Sequence, residues 1–111
     1  MHISNEGLLT QLGYHANSAN LIQLENIAKS TSGYEQIKRH ILALHDHLKN
    51  FEGFVALSNS KPYFKIKIET DDPNILQAAL DELFKWAHKY NVNLQKVEGK
   101  ETYYITGIQK D

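Results

Sequence analysis

The sequence predicts an α+β fold: an N-terminal helical hairpin, then a β-hairpin, helix, β-hairpin unit that forms a sheet of about four strands with helices on one face. Three observations predict it. A period-two run, Tyr63-Phe64-Lys65-Ile66-Lys67-Ile68-Glu69, breaks at Asp72-Pro73 into a long helical pattern. After Asn91 the chain returns to period two and holds it to Ile108. Upstream, Tyr34, Ile37, Ile41, Leu44, Leu48 and Phe51 recur at spacings of three and four, the stripe of an amphipathic helix.

Residues 1–17 carry the weakest pattern: Leu8, Leu9 and Leu12 have helical spacing between Gly7 and Gly13, which predicts a short helix or one or two turns. Over 18–29, Leu21, Leu24 and Ala28 share a stripe with Ile27 beside it, and Asn17, Ser18 or Asn20 can cap the start. Ser30-Thr31-Ser32-Gly33 interrupts, and Ser32 with Glu35 three residues on has the form of a capping box, in which each side chain satisfies the other residue's free backbone N–H. The apolar stripe of the second helix follows, each large side chain contributing roughly 1.5–3 kcal/mol on full burial. Glu52-Gly53 ends it.

Phe54 to Leu57 is a strand, and Ser58-Asn59-Ser60-Lys61-Pro62 is turn composition leading to the strand Tyr63 to Thr70. In that strand Phe64, Ile66 and Ile68 point one way and Tyr63, Lys65, Lys67 and Glu69 the other, so one face is core and one is wet. Asp72 as N-cap and Pro73 at the first helical position start the long helix, since the missing proline N–H would have no intrahelical partner there. Its apolar set, Ile75, Leu76, Ala79, Leu80, Leu83, Phe84, Trp86, Ala87 and Tyr90, is wider than one sheet contact requires. Something besides the sheet must cover it: another helix or a second subunit. Asn91 stops the helix, and Val92 to Val97 and Thr102 to Ile108 form a hairpin about Glu98-Gly99-Lys100-Glu101.

The 111 residues carry no linker, repeat or low-complexity segment, which predicts a single α+β domain over 1–111. Without cysteine there is no disulfide, thiolate nucleophile or Cys-type metal site. The first residues lack a basic segment followed by an apolar one, and no apolar run approaches the about 18 residues that span a bilayer. The expectation is a soluble cytoplasmic protein with no membrane contact. A formal charge of -1 supplies no global field for nucleic acid or anionic lipid, so any such binding has to come from a local patch.

Catalytic signatures are missing: no Gly-x-Ser-x-Gly elbow, no phosphate-cradling glycine loop and no cofactor motif. His40, His45 and His47 are spaced five, two and seven apart instead of the three or four at which two imidazoles on a helix share a metal. Asp71-Asp72 is explained by helix capping, and Asp81-Glu82 diverge on a helix surface. His45 or His47 with Asp46 or Glu52 is the only acid–base set worth testing. These residues argue against an enzyme, a cofactor and a metal centre.

Two binding readings remain. The first is a non-enzymatic interaction or regulatory domain that acts through protein–protein contacts as a homodimer, using Leu83, Trp86 and Tyr90 on the wide helix. The second is nucleic-acid binding by the wet strand face, Lys61, Tyr63, Lys65 and Lys67, with Lys96 and Tyr103 or Tyr104 on neighbouring strands. Lysines alternating with aromatics on an open sheet can hold a phosphate backbone and stack bases. Lysines on an exposed strand also keep sheet edges from pairing, which is their ordinary use. The pair of helices around Ser30 to Gly33, with Lys38, Arg39 and His40 on the second, fits an ordinary helical hairpin better than a DNA-reading helix-turn-helix, because the second helix carries a full apolar stripe.

From Tyr34 onward the order helix, strand, strand, helix, strand, strand is similar to the repeating unit of the LAGLIDADG homing endonucleases, which carry an acidic residue followed by glycine at the end of the first helix. Here that stretch is His45-Asp46-His47-Leu48-Lys49-Asn50-Phe51-Glu52-Gly53, without the family's small-residue packing motif, so the similarity is one of element order.

Overall fold

A computed structural model describes residues 3–108. Four helices and four strands follow one another as α1 (Asn5–Gln11), α2 (Ser18–Ser30), α3 (Tyr34–Leu48), β1 (Gly53–Leu57), β2 (Phe64–Ile68), α4 (Pro73–Tyr90), β3 (Val92–Lys96) and β4 (Thr102–Ile108). Two caps are among the expected side chains, Asn17 Oδ1 accepting from Asn20 N–H at 2.9 Å and Asp72 Oδ1 from Asn74 N–H at 2.8 Å, and α1 has its own in Ser4, whose Oγ accepts from Gly7 N–H at 3.0 Å. A 3-10 turn, Lys49–Phe51, leads out of α3 into Glu52, which takes the left-handed conformation (φ 58°).

The start of α3 corrects one expectation. Ser32 and Glu35 form no capping box: Gly33, in the left-handed region, precedes the helix without a side-chain cap. Glu35 instead accepts from Lys38 Nζ at 2.7 Å. Ser32 is taken by a long-range partner, its carbonyl accepting Ile108 N–H at 2.7 Å beside an isolated parallel bridge to Gly107. Gly107 (φ +129°) is required there, because a Cβ would stand 2.5 Å from Ser32 N.

All strand pairs are antiparallel and the sheet order is β1-β2-β4-β3. β2 and β3 therefore run parallel, with α4 crossing over β4, which inserts between them. The pairing of Val55 with Ile66, Leu57 with Phe64 and Phe64 with Ile105 places one side chain of every strand step against the helices. A bulge between β3 and β4 near Asn93 and Leu94 lets both Ile105 and Ile108 turn inward. The core cluster joins Leu8, Leu24, Ile27, Ile41, Leu48 and Leu83 to Val55, Phe64, Ile66, Val92 and Ile105, all inward-facing strand residues, so the helices share one face of the sheet. Tyr34 stacks at 6.2 Å on Phe64 and donates its hydroxyl to Asn5 Oδ1, and burial followed by the charge of Glu35 pushes that phenol up to about 12.

β1 is an edge strand, and side chains take two of its outward N–H groups. Val55 N–H donates to His45 Nδ1 at 3.0 Å and Leu57 N–H to the Tyr14 hydroxyl at 3.1 Å. These two contacts block part of the hydrogen-bonding row that an exposed edge offers to another strand. No helix among the described residues is long and apolar enough to cross a membrane.

Candidate functional site

The face of the sheet away from the helices collects the residues of the strand reading. Directly opposed residues share a face, and the register sets Phe54 against Lys67, Lys65 against both Ala56 and Tyr104, and Lys67 also against Thr102. Tyr63 sits beside Tyr104, ring centroids 6.2 Å apart. Phe54, Tyr63, Lys65, Lys67 and Tyr104 remain partly accessible and Lys61 is exposed. Lys65, Lys67, Thr102 and Tyr104 line a shallow concavity of about 200 Å3, together with Ser58 and Ser60 and with Val97 and Lys100.

Its hydroxyls are linked: Ser60 Oγ is 3.2 Å from the Tyr104 hydroxyl, and Ser58 Oγ accepts from the N–H groups of Ser60 and Lys61 at 3.3 Å. Hydrogen bonds from Ser60 and Ser58, aided by the positive fields of Lys61 and Lys65, hold the Tyr104 phenol below its ordinary value. Among the described residues no carboxylate lies within 4.0 Å of the ammonium groups of Lys61, Lys65, Lys67 or Lys100. The surface is therefore a patch of unpaired cations with aromatic rings between them.

Lys96 does not belong to it. The register pairs Lys96 with Tyr103, and Tyr103 packs toward the helices against Phe84. Lys96 thus sits on the opposite face from Lys65 and Lys67, on the edge strand β3. Tyr104, the outward residue, is the partner that the patch acquires.

The residues of the wide helix are also divided. Leu83 is wholly buried in the chain's own core and presents no surface, which corrects its place in an interaction set. Trp86 and Tyr90 flank α3, where the Trp86 indole N–H donates to the His40 carbonyl at 3.1 Å and Tyr90 stacks on the His40 imidazole at 3.8 Å. Phe84, on the other flank, leans over Tyr103 and is 48% exposed. The surplus apolar width of α4 is thereby met by α3 on one side and by the edge of Tyr103 on the other.

The three imidazoles of α3 hold three different partners. His40 lies on Tyr90, His45 accepts from β1, and His47 Nε2 is 3.3 Å from Glu82 Oε2. Burial, then the positive charge of Lys49, lowers the pKa of His45; burial, then Arg39 and Lys89, lowers that of His40. Asp46 pairs with Lys49 at 3.6 Å on the exposed side of α3, away from the buried His45. Lys38 is buried, its ammonium donating to the Ile3 carbonyl at 2.8 Å, so it is no part of a DNA-reading surface. The edge-closing roles of Tyr14 and His45 left no sequence signal, since neither residue stands in a periodic or motif context. Comparison of the chain with protein-family models, with curated proteins and with solved structures gives no match, so function has to be read from this geometry alone.

Proposed function

We propose that this domain is a non-enzymatic binding module that takes a single-stranded nucleic acid on the open face of its sheet. The observation that carries the reading is the position of Lys65 and Lys67: both lie on an interior strand, unpaired, each directly across from an aromatic or hydroxyl side chain. A lysine that guards against edge-to-edge pairing belongs on an edge strand, as Lys96 does. Lys65 and Lys67 guard no edge, and with Lys61 and Lys100 they leave this face open to an anion. Phosphates would meet Lys61, Lys65, Lys67 and Lys100, while Tyr63, Tyr104 and Phe54 offer ring faces, each stacked base adding roughly 1–3 kcal/mol.

Fluorescence anisotropy with labelled single-stranded DNA and RNA tests the reading. Binding is expected to weaken by about 0.7 log units per log unit of salt for each phosphate contact. The paired substitutions Lys65→Glu and Lys67→Glu are expected to abolish it. Affinity unchanged by that double variant, or no binding at low salt, overturns the proposal.

Self-association or a protein partner on α4 is a second reading, supported by the 48% exposure of Phe84. Light scattering at high micromolar concentration separates the two, because a dimer lost on Phe84→Ser with nucleic-acid binding intact assigns that flank to protein contact.

A further inference from the structure

We propose that the groove between α3 and α4 binds a small planar aromatic anion, with Trp86 and Tyr90 as its wall and Lys85 and Lys89 as its charge. The groove has a volume of about 420 Å3, within the range of roughly 300–1,000 Å3 that small-molecule sites occupy and too small for a helix or a strand pair. Its shape follows from the sequence: Ala43 on α3 faces the large rings of α4 and leaves the space that a longer side chain would fill, above Leu44.

The wall is pre-organised. The Trp86 indole is tethered by its hydrogen bond to the His40 carbonyl, and Tyr90 is held between that indole, 6.0 Å away, and the His40 imidazole at 3.8 Å. A flat ligand therefore meets rings that need no reordering, which removes part of the entropy cost of binding. The charge is net positive. Lys85 and Lys89 line the groove against one carboxylate, Glu82, which lies 3.3 Å from His47 Nε2, and no carboxylate among the described residues lies within 4.0 Å of either lysine. The Lys89 ammonium stands 5.4 Å from the Tyr90 ring centroid, at the groove's mouth. An occupant with an apolar plane and one terminal negative charge, such as an aromatic carboxylate, satisfies both features at once, and the site is independent of the sheet face.

Trp86 is the chain's sole tryptophan, so its indole N–H gives one unambiguous NMR signal inside the groove. Titration with 2-naphthoate is expected to shift that signal saturably, with affinity about fivefold tighter than for the neutral 2-naphthamide, the upper range for an exposed ion pair. Lys85→Gln with Lys89→Gln is expected to bring the two probes level, and Ala43→Leu, checked for an unchanged melting temperature, to abolish the shift by filling the space. A signal unmoved by millimolar 2-naphthoate, an amide that binds as tightly as the carboxylate, or an Ala43→Leu variant that binds normally overturns the proposal. So does an indole signal that moves with protein concentration alone, which would give the groove to a second copy of the chain.

Discussion

The two faces of the sheet differ in how many of their side chains already have a partner. On the helix side Phe64, Ile66 and Ile105 are fully buried, and even the polar groups at its margin are committed, Lys38 to Ile3 and His45 to Val55. On the outer side Lys65, Lys67 and Phe54 lie side by side on the sheet surface with no ion pair. Adjacent residues of one strand thus differ in kind: one is packed into the core that stabilises the fold, and the next faces outward without an ion-pair partner.

The largest expected effect tests that division directly. Phe64→Ala should destabilise by about 3–5 kcal/mol, through lost burial and the cavity left beneath Tyr34. Its neighbour Lys65→Ala should change stability by no more than about 0.5 kcal/mol. Urea unfolding of both variants checks the pair, and a Lys65 variant that loses stability on the scale of Phe64 would break the comparison.

Next in size is Lys38→Met, which keeps the buried stem but removes the donor to the Ile3 carbonyl. A loss of about 1–2 kcal/mol is expected. Faster hydrogen exchange in α1 than in β2 would place the loss at the helical end that this lysine fastens.

The smallest effect is a pH dependence. His45 is buried and accepts a hydrogen bond at Nδ1, so the folded state favours its neutral form and its pKa lies below the ordinary 6.5. Above that value folded and unfolded chains are both neutral here and the contribution is complete. As the pH falls below 6.5 the unfolded chain takes up a proton first, and stability declines by at most about 1.4 kcal/mol per pH unit until the folded pKa is reached. His45→Gln retains an acceptor for Val55 and cannot titrate, so its unfolding free energy should fall less between pH 6.5 and 5.5. A residual slope from His40, shifted in the same direction, should persist in both proteins. Equal slopes for the variant and the parent would show that His45 is not the group being titrated.

Elements with local causes were legible in the sequence. The alternation that starts at Tyr63, the Asp72-Pro73 start and the Asn91 stop depend on residues within a few positions of one another; the structure has the helix ends where their pattern places them and a strand over Phe64–Ile68, shorter than the expected Tyr63 to Thr70. What was not legible depended on distant partners. Ser32 carries the form of a cap but is drawn to Gly107. The face of Lys96 is set by the register of the β3–β4 hairpin, and a one-residue difference in register moves a side chain to the other face of a sheet. The width of α4 is readable from its spacing, whereas which flank meets α3 is not, and the spacing alone does not separate Leu83, which is core, from Trp86, which lines a groove. For the candidate surface, the alternation of β2 shows its cations, whereas which of Tyr103 and Tyr104 joins them depends on the β2–β4 register.

The place of β4 between β2 and β3 also bears on how the protein is made. A ribosome delivers β1 and β2 first, then α4 and β3, and the strand that joins these pieces comes after all of them. Until it emerges, the inner edge of β2 is bare and β3 has nothing to pair with, so a nascent chain halted before Thr102 carries an apolar hairpin with one open side. Such an intermediate stays open to edge-to-edge association until β4 closes it.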